Sequence, residues 1–195
     1  MAENVLAMFE KSEALLKGHF LLASGLHSPV YWEKAHVLQF PEYTEKLCRM
    51  IADRFRKAGV QVVAGPTIPG IILSYETARQ LGVRGIFAEK DETGGKGRVF
   101  RRGFRIEPGE KVLIVDDIFT TGGSIREVVD AVKKLGGKIV GIGVMVDRSM
   151  QPVDFGVPFY ACHRAEEVAY PAAQCPLCAQ GIPLVRPGSS QAKTG

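Results

Sequence analysis

The sequence predicts an α/β fold with a central parallel sheet flanked by helices, and three observations carry that expectation. Apolar runs of strand length (VQVVAG, VRGIFAEK, KVLIVDD and KIVGIGVMVDR) are spread along the chain. Stretches of helical periodicity lie between several of them, and strand-helix-strand order produces parallel strands joined by helical crossovers. The chain has 195 residues, 46% of them hydrophobic and 24% charged. That is enough for one substantial core and short for two, so a single domain is expected over 1–186.

Taken in order, residues 3–17 read as an amphipathic helix. HFLLASG and SPVYWEKAH follow as two short strands broken by Gly25 and Pro29. A helix is expected from about Glu42 to Lys57, then the strand VQVVAG, a helix from Gly70 to Leu81, and the strands VRGIFAEK and KVLIVDD. From Ser124 to Leu135, helical spacing puts Ile125, Val128, Val129, Val132 and Leu135 on one face, and KIVGIGVMVDR closes the series as a last long strand. Between Lys90 and Lys111, GRVFRRGFRI suits a hairpin, while the glycine-rich stretch from Thr93 to Gly97 suits a mobile loop of the kind that closes over ligands. No internal repeat is present. The end from Pro187, PGSSQAKTG, is small and polar, buries too little surface to order itself, and is expected to be a flexible tail over 187–195.

The amino-terminal residues contain no apolar block of signal-peptide or membrane-span length, so a soluble cytoplasmic protein without membrane partners is expected. Four cysteines in such a setting default to free thiols. CPLC at Cys175 to Cys178 has zinc-ligand spacing, but a structural zinc needs four ligands and one pair is a weak signal; in sequence terms Cys162 and His163 complete a set. His19, His27 and His36 show no metal-binding spacing, and the expectation is no protein-bound metal site. The net charge of +4 is modest, with one basic cluster at Lys96, Arg98, Arg101, Arg102 and Arg105. It suits RNA or a small polyanion equally well, and charge alone does not choose.

The stretch VLIVDDIFTTGGSIREVV, residues 112–129, carries the chemistry. A buried strand ends in Asp116 and Asp117, a turn of Thr120, Thr121, Gly122, Gly123 and Ser124 follows, and an amphipathic helix begins. The glycines admit a ligand to the backbone, and the free amides, hydroxyls and helix dipole together make an anion cradle that suits a phosphate. The two carboxylates repel a phosphate, so they call for ribose hydroxyls or hydrated magnesium. The plainer alternative is a capping Ser124 and a strand that happens to end in aspartates. There is no Gly-x-x-x-x-Gly-Lys-Ser/Thr and no Gly-x-Gly-x-x-Gly opening a helix, which argues against an ATPase and a dinucleotide enzyme.

VLIVDDIFTTGGS closely resembles the phosphoribosyl pyrophosphate signature of the type I phosphoribosyltransferases. GHFLLASGLHSPVYWE, GPTIPG, FAEK and MVDR resemble, in collinear order from about residue 18 to 148, the segments of the orotate branch. The resemblance implies a small amino-terminal hood over about 1–40, a mobile loop and a homodimer. The implied reaction transfers ribose 5-phosphate from phosphoribosyl pyrophosphate to orotate with Mg2+, giving orotidine 5'-monophosphate and pyrophosphate in pyrimidine biosynthesis. Asp116 and Asp117 are implied to hold the ribose hydroxyls, and Ile118, Phe119 and Thr120 to Ser124 the phosphoribosyl part. Lys90 and the Pro66 to Gly70 loop are implied to meet the pyrophosphate, and Thr120, Arg148, Tyr31 and Trp32 the orotate, whose carboxylate suits a guanidinium fork. Strand-core aromatics and a surface arginine remain alternative readings of Tyr31, Trp32 and Arg148.

The chain departs from that pattern at Ala23 and Pro69, where a basic residue is usual, and in the loop DETGGKGRV, which has no histidine. Lys96 and Arg98 are the nearest loop cations, either catalytic or simply solvated. Two other readings stay open. A purine or uracil enzyme would keep Asp116 to Ser124 without needing Arg148 for a substrate carboxylate. A regulator would bind phosphoribosyl pyrophosphate and nucleic acid without turnover; this chain has little room for the helix-turn-helix such proteins add, and no nucleic-acid partner is expected.

Overall fold

A computed structural model describes residues 4–22, 24–93, 95–149, 151, 153–166 and 168–187. In chain order they form α1 (Val5–Lys11), a hairpin of β1 (Leu15–Leu21) and β2 (His27–Trp32), α2 (Lys34–Leu38), α3 (Pro41–Phe55), β3 (Val62–Pro66) and α4 (Pro69–Leu81). Then come β4 (Arg84–Lys90), β5 (Arg98–Val99), β6 (Lys111–Phe119), α5 (Gly123–Lys134), β7 (Lys138–Asp147), β8 (Phe159–Arg164) and α6 (Pro176–Ala179). Ala23 and the tail residues 188–195 lie outside the described residues, so neither the departure at Ala23 nor the expected flexibility of the tail finds a structural counterpart. Among the described residues no helix is long and apolar enough to cross a membrane.

Six strands make the main sheet in the order β5-β4-β3-β6-β7-β8. The pairs from β4 through β8 are parallel, and β5 alone runs antiparallel, against the end of β4. This is the expected central parallel sheet. Its β6 is buried on both faces, because residues alternate sides along a strand. Leu113 and Val115 join a core under α1, α3 and α4, with Phe9, Leu47, Ile51 and Leu73. Val112 and Ile114 face the opposite core, under α5, with Ile125, Val128 and Val132. Fully burying such an aliphatic side chain contributes roughly 1.5–3 kcal/mol, so these two layers fix where β6 ends.

Several local expectations are corrected. The helix predicted over 3–17 stops at Lys11; Asn4 caps its start by accepting from Ala7 N at 3.2 Å, and Glu13 turns the chain at φ 54°. Residues 15–21 instead pair with β2, where Phe20 and Trp32 are buried, so tertiary pairing overrides the helical period. Pro29 does not break the second strand; it lies at the irregularity between the Lys17 and Phe20 pairings, a place where a strand tolerates proline. Past Trp32, KAHVL is helical rather than extended. The expected hairpin in GRVFRRGFRI reduces to Arg98 and Val99 pairing with Lys90 and Glu89, followed by a turn through Arg102 and Gly103 at positive φ. KIVGIGVMVDR is not the last strand, since β8 follows it, and Leu135 is exposed past the end of α5.

Candidate active site

The sheet order places a crevice beside β6. From β3 the chain moves outward to β4 and then returns to β6 on the other side of β3; such a reversal opens a binding crevice at the carboxyl ends of the strands. β3 pairs with β6 only as far as Ile114, whereas β7 follows β6 to Phe119. Asp116 and Asp117 therefore sit past the last pairing of β6 with β3, buried but beside the crevice. As neighbours in a strand they point to opposite faces. Asp116 lines a cavity of about 190 Å³ on the α5 side. Asp117 meets Lys34 of α2, with Nζ 3.0 Å from Oδ2.

Burial first, and the Asp117 charge second, push the Asp116 carboxyl up to about 8, although it accepts a hydrogen bond from Asp117 N at 2.9 Å. Burial works against charge on Lys34, but the Asp117 carboxylate outweighs it and holds the ammonium above its ordinary value. Asp116 thus favours its neutral form on the α5 side, while on the other face Asp117 leans on a cation from α2. Lys34 was not legible as a site residue: it follows an aromatic strand with no motif around it. The signal available was that two adjacent buried carboxylates need a nearby cation.

The turn after β6 wraps the same cavity, which Thr120, Thr121, Gly122, Gly123 and Ser124 line together with Asp116. Gly122 takes φ 78° at the start of α5, where a Cβ would come within 2.6 Å of the Phe119 ring. No side chain caps α5, so its first amides remain available to an anion. The alternative in which Ser124 serves as a cap is not what the chain adopts.

Arg148 is buried just past β7, and its backbone N donates to Phe119 O at 2.8 Å. With Trp32 and His163 it lines a second cavity of about 240 Å³, walled by Ser28, Val30 and Leu15 of the hairpin. Trp32 is packed edge-on to Phe9 at 5.0 Å. Tyr31, one residue earlier, does not line this cavity and packs against Phe20 at 5.7 Å, so the two aromatics expected to act together are separated by the strand period.

The other predicted cations lie at the rim. Lys90 is exposed at the end of β4 and Lys96 is exposed in the loop. Arg98 has its side chain 6% exposed; it pairs with Glu127 of α5 at 3.1 Å and donates to Thr67 Oγ1 at 3.0 Å and Ala88 O at 3.1 Å. It ties the loop base to α5 and to the Pro66 to Gly70 loop. In the rest of the basic cluster, Arg101 pairs with Asp91 and Arg102 with Glu89, so much of the charge is locally balanced. In the 66–70 loop the Thr67–Ile68 peptide is cis, and Gly65 and Gly70 approach so closely that a Cβ on Gly65 would lie 2.5 Å from Gly70 O.

Outside this site, Cys175 and Cys178 do not face Cys162 and His163. Cys162 bonds to Leu47 O, and His163 lies against Trp32. The CPLC cysteines meet His19 and His27, which the sequence spacing did not single out.

The chain is similar to known proteins along nearly its whole length. The phosphoribosyl transferase domain family model matches residues 35–168. The orotate phosphoribosyltransferase of Pelotomaculum thermopropionicum is 55% identical over 187 residues, covering 96% of this chain and 97% of that protein. Its counterpart from Desulforamulus reducens is 50% identical over 189 residues, covering 97% of each. Among solved structures, orotate phosphoribosyltransferase from Aeropyrum pernix aligns with TM-score 0.73 at 22% identity, over 84% of this chain and 94% of that one. Adenine phosphoribosyltransferase from Thermoanaerobacter pseudethanolicus aligns with TM-score 0.59 at 19% identity, over 70% and 88%. At those identities the structural likeness bears on the fold.

Proposed function

This chain belongs to the orotate phosphoribosyltransferase family, and from that membership we propose how its residues divide the work. It is a pentosyltransferase of pyrimidine biosynthesis that moves ribose 5-phosphate from phosphoribosyl pyrophosphate to orotate. One observation carries the assignment of roles: a single cavity is lined both by Asp116 and by the Thr120 to Ser124 turn. A ligand with a phosphate at one end and a free ribose diol at the other satisfies both halves.

The 5-phosphate takes the amides and hydroxyls of Thr120 to Ser124 at the start of α5. Asp116 and Asp117 accept from the ribose hydroxyls, and the ion pair with Lys34 holds Asp117 in place. Arg148, in the adjoining cavity with Trp32, meets the orotate carboxylate, and Thr120 lies between the two parts. Lys90 and the 66–70 loop take the pyrophosphate. Positive charge develops on the sugar as the bond to pyrophosphate breaks, so the reaction needs placement and charge rather than a protein nucleophile. The buried oxygen donors of Asp116 and Asp117 are of the type magnesium prefers, and Mg2+ bound there with the pyrophosphate would assist its departure. Lys96, exposed in the segment before β5 whose Gly94 lies outside the described residues, adds a cation there, and covering the site excludes water from the activated sugar. Arg98 pins the base of that segment to α5.

We read residues 1–186 as one domain acting as a homodimer in the cytoplasm. An exposed apolar face on α4 supports the dimer.

The test is a spectrophotometric assay with orotate, phosphoribosyl pyrophosphate and magnesium, run beside uracil and hypoxanthine. Turnover of orotate alone is expected, with Asp117→Asn inactive and Arg148→Ala raising KM for orotate. Equal use of uracil, or an unchanged KM in Arg148→Ala, would remove Arg148 from the orotate-binding role.

A further inference from the structure

His19, His27, Cys175 and Cys178 come from separate parts of the chain and bring one ligand atom each within 4.8 Å of one another. His19 lies on β1 and His27 on β2. His19 lies in the irregularity between the Lys17 and Phe20 pairings, which brings its ring to 4.9 Å from that of His27. Cys175 stands at the start of α6 and Cys178 lies within it, more than 140 residues later. The separations are 2.9 Å between His19 Nε2 and His27 Nδ1, 3.5 Å between Cys175 Sγ and His19 Nε2, and 3.3 Å between Cys178 Sγ and His27 Nδ1. Cys178 Sγ lies 3.8 Å from His19 Nε2. Ligand bonds of about 2.0–2.3 Å in a tetrahedron space nitrogen and sulfur by about 3.6 Å and two nitrogens by about 3.3 Å. The protein thus holds its four donors close to the edges of such a tetrahedron.

The surroundings match a ligand set rather than a chance cluster. His19 Nδ1 lies 2.7 Å from Ile182 O, and a hydrogen bond from Nδ1–H to that carbonyl leaves Nε2 unprotonated and turned toward the cysteines. Three of the four residues are buried, and the cluster holds only nitrogen and sulfur donors. That composition selects a borderline-soft ion over magnesium. Hydrogen-bonded bridges also surround it: Leu21 N donates to Val185 O, Val185 N to His19 O, and His27 and Tyr170 exchange a pair.

We propose that these residues form a structural Cys2His2 zinc site that clamps the carboxyl-terminal segment over 170–185 to the hood hairpin. The site is separate from the Asp116 and Asp117 chemistry. It acts on catalysis only by fixing β2, which carries Trp32 and leads into Lys34.

The test uses full-length, tag-free protein purified without chelator, with metal measured by plasma emission and thiols by mass spectrometry. About one zinc per chain is expected, released by a mercurial thiol reagent, and falling below about 0.1 per chain in Cys178→Ser and His27→Asn. Cys162→Ala should keep its zinc. Cobalt loaded in place of zinc should show the visible bands of a tetrahedral thiolate site, an observation that needs no variant to fold. Protein that neither contains nor takes up zinc, a Cys175–Cys178 disulfide, or zinc retained in both ligand variants would overturn the proposal.

Discussion

At Asp116, burial and the neighbouring Asp117 charge keep the carboxyl protonated up to about pH 8, whereas in the unfolded chain it ionises near its ordinary value of about 3.9. The sign of the consequence follows. Between those two values the folded state holds a proton that the unfolded state has lost, so the stability tied to this group is complete below the lower one. It declines as pH rises toward 8, then levels off. Asp116→Asn removes the titration while keeping shape and an oxygen acceptor for Asp117 N. The variant should therefore be more stable than the parent at pH 8.5, by roughly 1–3 kcal/mol, with a much smaller difference at pH 5. Thermal melts at the two pH values check this, and a difference that does not grow with pH would sink it. Turnover should fall by about 100-fold or more, because the ribose diol loses its charged acceptor. On the proposed role the ribose diol favours the ionised carboxyl, so affinity for phosphoribosyl pyrophosphate should rise with pH up to about 8.

In the turn between β6 and α5 the proposed phosphate cradle comes at the cost of local backbone freedom. Gly122 stands at φ 78° with the Phe119 ring where a Cβ would be. Gly122→Ala should destabilise the protein by about 1–3 kcal/mol and raise KM for phosphoribosyl pyrophosphate more than KM for orotate; equal effects on both would argue against a phosphate-specific turn. This element was fully legible, because apolar run, acid pair, hydroxyls, glycines and helix periodicity are contiguous and each is a local signal. The hood was less so. LLKGHFLL fits a helix as well as a strand until Phe20 and Trp32 find a core, and β8, with its half-buried mixed residues, has no clean period. Trp32 and Arg148 line one cavity, but the separation of Tyr31 from Trp32 follows from strand alternation, which argues against both aromatics reaching one ring. Lys34, and the histidines that meet CPLC, depend on contacts distant in sequence, where no spacing rule reaches.

For the whole molecule, the proposed homodimer has a candidate face in the exposed apolar surface. Ile68, Ile72 and Tyr75 are 75%, 44% and 68% exposed, and their spacing of four and three residues lines them along one face that runs from the 66–70 loop into α4. Because Ile68 belongs to that loop, an interface on this face is continuous with the pyrophosphate site. Dimerisation would then order the loop as well as bury the stripe. A double variant, Ile72→Glu with Tyr75→Glu, should sediment as a monomer while the parent sediments as a dimer. Both positions are exposed, so circular dichroism should report an unchanged fold. Turnover should fall in the monomer while orotate binding near Arg148, measured calorimetrically, is largely kept, since that cavity is built from β2 and residues past β7. A variant that remains dimeric would move the interface elsewhere on the surface. A fully active monomer would show instead that each chain completes its own pyrophosphate loop.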